Sequence, residues 1–222
     1  MAKDRKFPNS YSLTDEIAAT IRERILKGEY KIGEKIKETQ IAGELKVSRT
    51  PIREAFKQLE DEGLIEYKKN RGCFARGFTK RDIDDIYAVR KALEVLAVEW
   101  ACERMTPDYL KQLKDQCDLM EFYTIREDYE HVLALNKDFH DIIYNATGSR
   151  FMAQVLHSYK SYIEQARQVV FMDKTYLERI LAEHRKILGA LSKGSVEEAK
   201  DAMAQHLDHS RERASVAYKV KE

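Results

Sequence analysis

The feature that most constrains this chain is the run VSRTPIREA at Val47–Ala55, which predicts the start of a helix. Ser48 or Thr50 can accept hydrogen bonds from the N–H groups that open a helix, and Pro51 is tolerated in a first helical turn. One stripe at helical spacing carries Ile52, Phe56, Leu59 and Gly63. Off this stripe lie Arg49, Thr50, Arg53 and Lys57. The sequence therefore predicts a helix that is packed on one side and cationic on the other.

Two further helices are predicted before this one. Ser12–Lys27 predicts a first helix ended by Gly28, with four inward residues: Leu13, Ile17, Ile21 and Ile25. Glu38–Leu45 predicts a shorter helix, joined to the cationic helix by a tight turn at Lys46 and Val47. The shorter helix, the turn and the cationic helix form a helix-turn-helix pattern, and the first helix packs behind it.

A basic hairpin is predicted after the cationic helix. Leu64–Tyr67 and Cys73–Arg76 have the composition of two short strands, and the turn between them contains Asn, Gly and three cations. Exposed arginines at a helix N-terminus, followed by a basic hairpin, suit insertion into the DNA major groove with a wing on the backbone or minor groove.

The runs VSRTPIREAFKQLEDEGLI and KNRGCFARGF resemble the winged helix-turn-helix of GntR-family bacterial transcription regulators. The chain departs from the family pattern at Ile32, where Pro usually precedes Gly33, and at Lys46, where a Gly usually ends the second helix. If Lys46 is left-handed, it costs about 1 kcal/mol relative to Gly, which a folded domain tolerates. Neither change touches the DNA-facing positions.

Six residues of this module form the expected DNA-binding set: Ser48, Arg49, Thr50, Arg53, Arg71 and Gly72. Arg49 and Arg53 are expected to contact base edges or phosphates, and Thr50 to bond a phosphate. Gly72 would let the wing approach the groove closely. Because a two-fold protein matches a two-fold site, the expected partner is an approximately palindromic double-stranded DNA operator bound by a homodimer.

The charge distribution separates the chain into two parts. The net charge of the 222 residues is +1, but residues 1–78 carry 17 Lys/Arg against 13 Asp/Glu, and the remainder carries 22 against 25. Only the first part is basic, as expected if it alone meets nucleic acid, although a solvated basic face gives the same balance. We expect a flexible arm at 1–10, a winged helix-turn-helix domain at 11–78 and an all-helical ligand-binding and dimerisation domain at 79–222.

The second part is predicted to be entirely helical. Beyond residue 80 there is almost no strand signal, and the only proline is Pro107. Helical patterns run over about 81–104, 107–120, 126–146, 149–171, 174–192 and 195–218. Six helices with short connections predict an antiparallel α-helical bundle, so the fold class is mainly α. No run has membrane length or resembles a signal peptide, and we expect a soluble, cytoplasmic protein.

One charged residue lies on the apolar stripe of the first bundle helix. The stripe, about 100° wide, consists of Ile83, Ile86, Arg90, Leu93, Ala97 and Trp100. A buried guanidinium is costly unless it is paired, because it does not deprotonate. Arg90 therefore needs either a carboxylate, such as Glu94 one turn away, or a bound anion, and the pattern leaves both possibilities open.

Three histidines lie on the inward faces of three different bundle helices. His140 shares its stripe with Asn136 one turn earlier, and His184 and His206 lie on the apolar stripes of the fifth and sixth bundle helices. The remaining histidines point away or lie at the margin: His131, His157 and His209. Facing helices of a bundle can bring such side chains together on a metal ion. Periodicity does not establish convergence, so packed core histidines are the alternative.

The second part resembles the FCD ligand-binding domain of the FadR subfamily, on the runs YAVRKALEVLA, LNKDFHDIIYNATGS, AEHRKIL and MAQHL. The two resemblances together cover nearly the whole chain. The second resemblance implies a divalent metal ion and a small organic acid as effector. The implied metal set is Asn136, His140, His184 and His206, and the implied effector-binding residue is Arg90.

Asn136 is a departure from this family, in which an Asp is common at that position. A neutral amide oxygen is a poorer ligand than a carboxylate, so the change bears on metal affinity and preference. Asp138 does not easily replace Asn136 as a ligand. It lies two residues before His140 and therefore faces the opposite side of the helix. With three imidazoles and at most one oxygen, Zn or Ni is the ion that suits the set.

The predicted function is a DNA-binding transcriptional regulator, and the expected output is repression. Its operator affinity is expected to respond to a carboxylate effector bound near a metal. One alternative is a DNA-binding dimer whose bundle binds no ligand. The other is a metal-dependent all-helical phosphohydrolase built on the adjacent His140 and Asp141. Its rearranged ligand set would be His131, Asp141, His184 and Asp208. That enzyme offers no clear nucleophile or base and leaves the winged module unexplained.

Overall fold

The structure is a computed structural model that describes residues 12–26, 28–76, 79–167 and 173–219. The chain divides into two compact units, with the boundary between Phe78 and Thr79. The arm expected at 1–10 lies outside the described residues.

The N-terminal unit is a three-helix arrangement with a small sheet. Its helices are α1 (Leu13–Leu26), α2 (Glu38–Leu45) and α3 (Arg49–Asp61), and its strands are β1 (Lys35–Ile36), β2 (Ile65–Lys68) and β3 (Gly72–Ala75). The sheet order is β1-β3-β2, and both pairings are antiparallel. The predicted hairpin is confirmed, with Lys68 opposite Gly72 at its closed end. The sequence did not predict β1, because two residues give no alternation to detect.

The backbone conformations of Lys46 and Ser48 define the end of α2 and the start of α3 in the helix-turn-helix. Lys46 ends α2 in the left-handed conformation, with φ 55° and ψ 41°, so the expected non-glycine left-handed residue is observed. Ser48 precedes α3 with an extended backbone, but its side chain makes no capping hydrogen bond. The expectation that a hydroxyl at Ser48 or Thr50 caps α3 is therefore wrong for Ser48, although the helix begins where predicted.

The core of the N-terminal unit lies between α1, α3 and the sheet. From α1 it takes Ile17, Ile21 and Ile25, which are buried as predicted. Leu13 was expected to be inward and is 52% exposed, because it stands in the first turn, beyond the reach of the core. The core residues of α3 are Ile52, Ala55, Phe56 and Leu59. The packed face of α3 is therefore as predicted for Ile52, Phe56 and Leu59, but the prediction was wrong for Gly63, which follows the end of the helix and has φ +72°.

The C-terminal unit consists of six helices in the described residues. They are α4 (Lys80–Glu103), α5 (Pro107–Ile125), α6 (Tyr129–Ala146), α7 (Arg150–Arg167), α8 (Lys174–Lys193) and α9 (Val196–Lys219). The six predicted patterns are thus all helical, but α5 continues past residue 120, and α6 begins later than residue 126. The late start has a local cause, since Glu127 is left-handed with φ 55° and Asp128 caps α6. The predicted end of the fourth pattern at 168–171 lies outside the described residues.

Side-chain caps fix the starts of several bundle helices. Thr79 and Asp82 form a reciprocal capping box at α4, and Thr106 caps α5 with Pro107 in its first turn. Within the bundle α4 packs along α9, while α5 packs against α6 and α8. Among the described helices, none is long and apolar enough to cross a membrane.

Candidate metal centre and nucleic-acid interface

Three buried histidines meet in the middle of the C-terminal unit. His140 of α6, His184 of α8 and His206 of α9 are 4%, 0% and 1% exposed. Each offers one ring nitrogen such that these atoms all lie within 4.8 Å of one another. The ring centroids of His140 and His206 are 5.1 Å apart, and those of His184 and His206 are 4.8 Å apart. The sequence-predicted histidines therefore do come together.

Each of these rings has its Nδ1 hydrogen-bonded to a fixed acceptor. Nδ1 of His140 lies 2.6 Å from Glu94 Oε2, and Nδ1 of His206 lies 2.8 Å from Glu183 Oε2. Nδ1 of His184 lies 2.7 Å from the carbonyl oxygen of Ile180. Because all three acceptors accept a hydrogen bond from Nδ1–H, each ring in its neutral form presents a lone pair on Nε2, as metal-ligating histidines do.

The distance between two of these Nε2 atoms fits a shared metal ion. Nε2 of His140 lies 3.2 Å from Nε2 of His206. Two neutral rings whose protons are on Nδ1 cannot hydrogen-bond through these atoms, since both are acceptors. Two nitrogens bound at about 2.0–2.1 Å to a tetrahedral Zn²⁺ are about 3.3 Å apart. The donor set thus fits a divalent cation such as Zn²⁺ or Ni²⁺.

Asn136 lies on the same face of α6 as His140, one turn earlier, and is 1% exposed. Asp138 is exposed, as expected for a residue on the opposite side of the helix. The remaining histidines have side chains that are between 43% and 57% exposed, and they are not members of the cluster: His131, His157 and His209. The set proposed for a phosphohydrolase is not assembled, because Asp141 pairs with His157 and Asp208 with Lys91.

Arg90 has a carboxylate partner within α4. Its Nε lies 2.5 Å from Glu94 Oε1, and both side chains are buried, at 2% and 0% exposed. Burial acts to raise the pKa of Glu94, but the charge of Arg90 and the contact with His140 outweigh it, so that the pKa is lowered well below its usual range. Arg90 Nη1 is buried and has no hydrogen-bond partner among the described residues. The guanidinium is therefore paired, yet one of its donors still lacks an acceptor.

Glu183 of α8 is a second carboxylate behind the histidines. Besides His206, the Glu183 carboxylate contacts Nδ1 of His209 at 2.9 Å. It also accepts hydrogen bonds from both terminal nitrogens of Arg213, at 2.9 and 3.0 Å. Burial raises the pKa of Glu183, but the hydrogen bonds from His206 and Arg213 lower it further than burial raises it. Sequence reasoning missed Glu183, since it lies off the apolar stripe of α8 and looks like any surface glutamate.

The surroundings of two of the imidazoles, His184 and His206, favour the neutral form. Burial lowers the pKa of His206 to about 3, although the hydrogen bond to Glu183 acts in the opposite direction. Burial, together with the two neighbouring rings, lowers the pKa of His184 well below its ordinary value. Neutral rings are the form that binds a metal, so the site is prepared for coordination at neutral pH.

The predicted DNA-binding side chains lie on the exposed start of α3. Ser48, Arg49 and Thr50 are exposed. Arg53, one turn after Arg49, is 64% exposed in its side chain, and its Nε lies 2.9 Å from Glu38 Oε2 at the start of α2. The ion pair engages only Nε of the Arg53 guanidinium. The sequence did not predict it, because its partners are 15 residues apart in different helices.

The wing presents its own cations. The Arg71 guanidinium lies 5.8 Å and Lys68 Nζ 5.3 Å from the centroid of the Phe74 ring. Gly72 has φ +99°, and a Cβ there would lie 3.0 Å from Cε of Lys35. The requirement for glycine at this position therefore has a cause within the fold, independent of any approach to DNA.

Comparison with known proteins agrees with this architecture. Residues 13–75 match the family model described as bacterial regulatory proteins of the gntR family, and residues 85–209 match the FCD domain. The HTH-type transcriptional regulator YdhC of Bacillus subtilis is 33% identical over 191 residues, which cover 85% of each chain. The HTH-type transcriptional repressor RspR of Escherichia coli is 24% identical, with 79% of this chain and 77% of RspR covered. The structure of E. coli McbR/YncC superposes with a TM-score of 0.71 at 20% identity, covering 96% of this chain and all of that one.

A winged helix-turn-helix followed by an all-helical unit with buried histidines defines a DNA-binding transcriptional regulator. The chain belongs to the gntR family of bacterial regulatory proteins and carries the FCD domain as its second part. The relatives are regulators, and the chain is likewise a regulator and not an enzyme. The phosphohydrolase alternative is therefore rejected, and neither Asp141 nor Asp208 belongs to the group of clustered ligands.

Proposed function

We propose that this regulator binds a divalent metal ion in its C-terminal unit, most suitably Zn²⁺ or Ni²⁺. The ligands are Nε2 of His140, His184 and His206, with Asn136 as a further oxygen donor. The observation that carries the proposal is the 3.2 Å distance between Nε2 of His140 and Nε2 of His206. Each of these two rings is oriented by a carboxylate that contacts its Nδ1. When bound, the metal supplies a Lewis-acidic attachment point for an anionic ligand.

The effector in this proposal is a small organic acid held beside the metal by Arg90. Support comes from Arg90 Nη1, a buried cationic donor that lacks a hydrogen-bond partner within the described residues. Such a donor is costly to bury, and a carboxylate oxygen would satisfy it. The acid can shift DNA affinity only by binding one conformation of the regulator more tightly than another.

On the DNA side, the proposal assigns residues 11–78 to operator recognition and residues 79–222 to ligand binding and dimerisation. The DNA-contacting set is Ser48, Arg49, Thr50, Arg53, Arg71 and Gly72. A homodimer would place two α3 helices on the halves of an approximately palindromic operator. Repression is the favoured output, since the related protein RspR is named a transcriptional repressor.

A second candidate is a DNA-binding dimer whose bundle binds no ligand. The 2.5 Å contact between Arg90 and Glu94 favours it, because the guanidinium already has the carboxylate that burial demands. In that case replacing Arg90 would lower stability without changing any operator response.

Native mass spectrometry of untagged protein, purified without chelator, tests the proposal and distinguishes the two candidates. We expect a dimer with one metal ion per chain, lost in His184→Ala and retained in His157→Ala, the matched control on an exposed histidine. A dimer that stays free of metal after addition of Zn²⁺ and Ni²⁺ would reject the metal centre. It would leave the ligand-free dimer as the function.

A further inference from the structure

The charged groups around the histidine cluster cancel before any ion is bound. Arg90 is paired with Glu94 at 2.5 Å, and Glu183 is paired with Arg213 at 2.9 and 3.0 Å. Both carboxylates lie behind the imidazoles, where they accept hydrogen bonds from Nδ1–H, and neither belongs to the group of clustered ligands. The surroundings of the cluster therefore contribute no net negative charge to it.

The cluster itself is also neutral. In the part of the chain that the structure describes, the group able to hold an ion consists of three histidines and includes no carboxylate. Asn136, buried one turn before His140, adds an amide and no charge. A divalent cation would therefore bring two uncompensated charges into a site whose residues are at most 4% exposed. Burying charge without compensation carries a large energetic cost.

We propose that Asn136 makes metal binding and acid binding depend on each other in this regulator. This inference rests on the metal centre proposed above. The protein lacks the first negative ligand that an Asp at position 136 would supply, so the carboxylate of the effector supplies it. The same anion gives Arg90 Nη1 its acceptor, and one ligand group thus satisfies both the cation and the guanidinium.

The dependence is reciprocal by thermodynamic linkage. An acid that raises metal affinity by a given factor is itself bound more tightly by that factor when metal is present. The regulator then responds to an acid and a metal jointly, because each binds more weakly alone than when the other is present. An Asp at position 136 would uncouple the two, because its carboxylate would compensate the metal without the acid.

The test measures Zn²⁺ affinity by competition with a chromophoric chelator, with and without acetate. Acetate is the smallest carboxylate and enters any site built for a larger one. We expect acetate to tighten Zn²⁺ binding by the wild-type protein. Asn136→Asp should bind Zn²⁺ about tenfold more tightly or better without acetate, and should respond less to acetate. The matched control is Asn145→Asp, the same substitution on an exposed residue of α6, which should behave as wild type.

Two outcomes would overturn the inference. Equal Zn²⁺ affinity of wild type and Asn136→Asp, with no acetate effect on either, removes the coupling. The metal centre would survive that result if His184→Ala still abolished binding. Absence of Zn²⁺ and Ni²⁺ binding in every protein removes the metal centre and the coupling together. Should Asn136→Asp fail to fold, Asn136→Ala must keep the acetate response, and loss of that response would refute the proposal.

Discussion

The carboxylate of Glu183 lies 2.8 Å from Nδ1 of His206 and fixes the tautomer of that ring. The carboxylate is itself held by Arg213 at 2.9 and 3.0 Å, so its position is defined from both sides. A histidine oriented in this way presents Nε2 in one direction and is a more basic ligand than an unsupported imidazole. Glu183 therefore orients one ligand of the proposed metal centre and is not itself one of the clustered ligands.

Glu183→Gln should weaken metal binding by about 10- to 100-fold, because the amide keeps the shape of the carboxylate but removes its charge. Glu178→Gln, the same change on an exposed residue of α8, is the control and should leave affinity unaltered. The measurement is Zn²⁺ competition with a chelator. Equal affinities for the two variants would show that Glu183 does not support the ligand.

The buried pair Arg90–Glu94 predicts strongly non-additive mutations. Arg90→Met leaves the Glu94 carboxylate buried without its cation and should lower the free energy of unfolding by about 3–5 kcal/mol. The double variant Arg90→Met/Glu94→Gln should recover part of that loss. Urea unfolding of the wild type, both single variants and the double variant gives the coupling energy.

The neighbouring pair Lys91–Asp208 is the control for that cycle. Its side chains are 39% and 42% exposed, and its N–O distance is 2.7 Å. A partly exposed pair contributes about 0–1 kcal/mol, so Lys91→Met should change the free energy of unfolding little. Similar losses for Arg90→Met and Lys91→Met would contradict the role assigned to burial.

Protein treated with chelator should lose stability as the pH falls from 7 to 5. The pKa of His206 is lowered to about 3 and that of His184 is lowered well below its ordinary value, chiefly by burial. Below about pH 6.5 the unfolded chain binds a proton at each histidine and the folded chain does not. The free energy of unfolding should therefore fall by about 2 kcal/mol between pH 7 and pH 5 because of His206, and it should fall further because of His184.

Urea unfolding at pH 7, 6 and 5 in the presence of chelator measures this slope. The lowered pKa values of Glu94 and Glu183 contribute only at lower pH, below the ordinary range of a carboxyl group, so they do not enter this window. His206→Asn should reduce the slope, whereas His157→Gln, on an exposed ring, should not. A stability that is flat from pH 7 to pH 5 would contradict the buried neutral state of the rings.

Much of this site follows from helical periodicity alone. The five polar or charged residues of the site that spacing placed on inward faces are buried, to 4% exposure or less: Arg90, Asn136, His140, His184 and His206. The reason is physical, since a helix with one apolar stripe can bury only that stripe. Glu94 was also anticipated as a partner for Arg90, because residues four apart meet on one helix.

The supporting contacts between helices could not be predicted in the same way. Glu94 and His140 are 46 residues apart, and Glu183 and His206 are 23 apart. Periodicity gives the face of each helix but not how far two helices rotate and slide against each other. Glu183 was missed for this reason, and so was the hydrogen bond between Arg53 and Glu38, which depends on the crossing of α2 and α3.

Arg49→Ala should weaken specific DNA binding without unfolding the N-terminal unit. Arg49 is exposed at the start of α3, so its removal leaves the core of Ile52, Phe56 and Leu59 intact. If the guanidinium reads a guanine, its loss costs about 1–3 kcal/mol, and if it contacts a phosphate, the salt dependence of binding falls by about one unit. Fluorescence anisotropy over a salt series, on a duplex selected from a random pool by the wild-type protein, separates these two roles.

The control for Arg49→Ala is Lys114→Ala, which removes the same charge from an exposed position of α5 in the other unit. Long-range electrostatics alone would make the two variants equally weak, and the difference would vanish at moderate salt. A contact at the start of α3 predicts a loss confined to Arg49→Ala that persists at 150 mM salt, roughly the physiological ionic strength. Equal binding by the two variants under that condition would place the DNA-reading surface elsewhere on the winged unit.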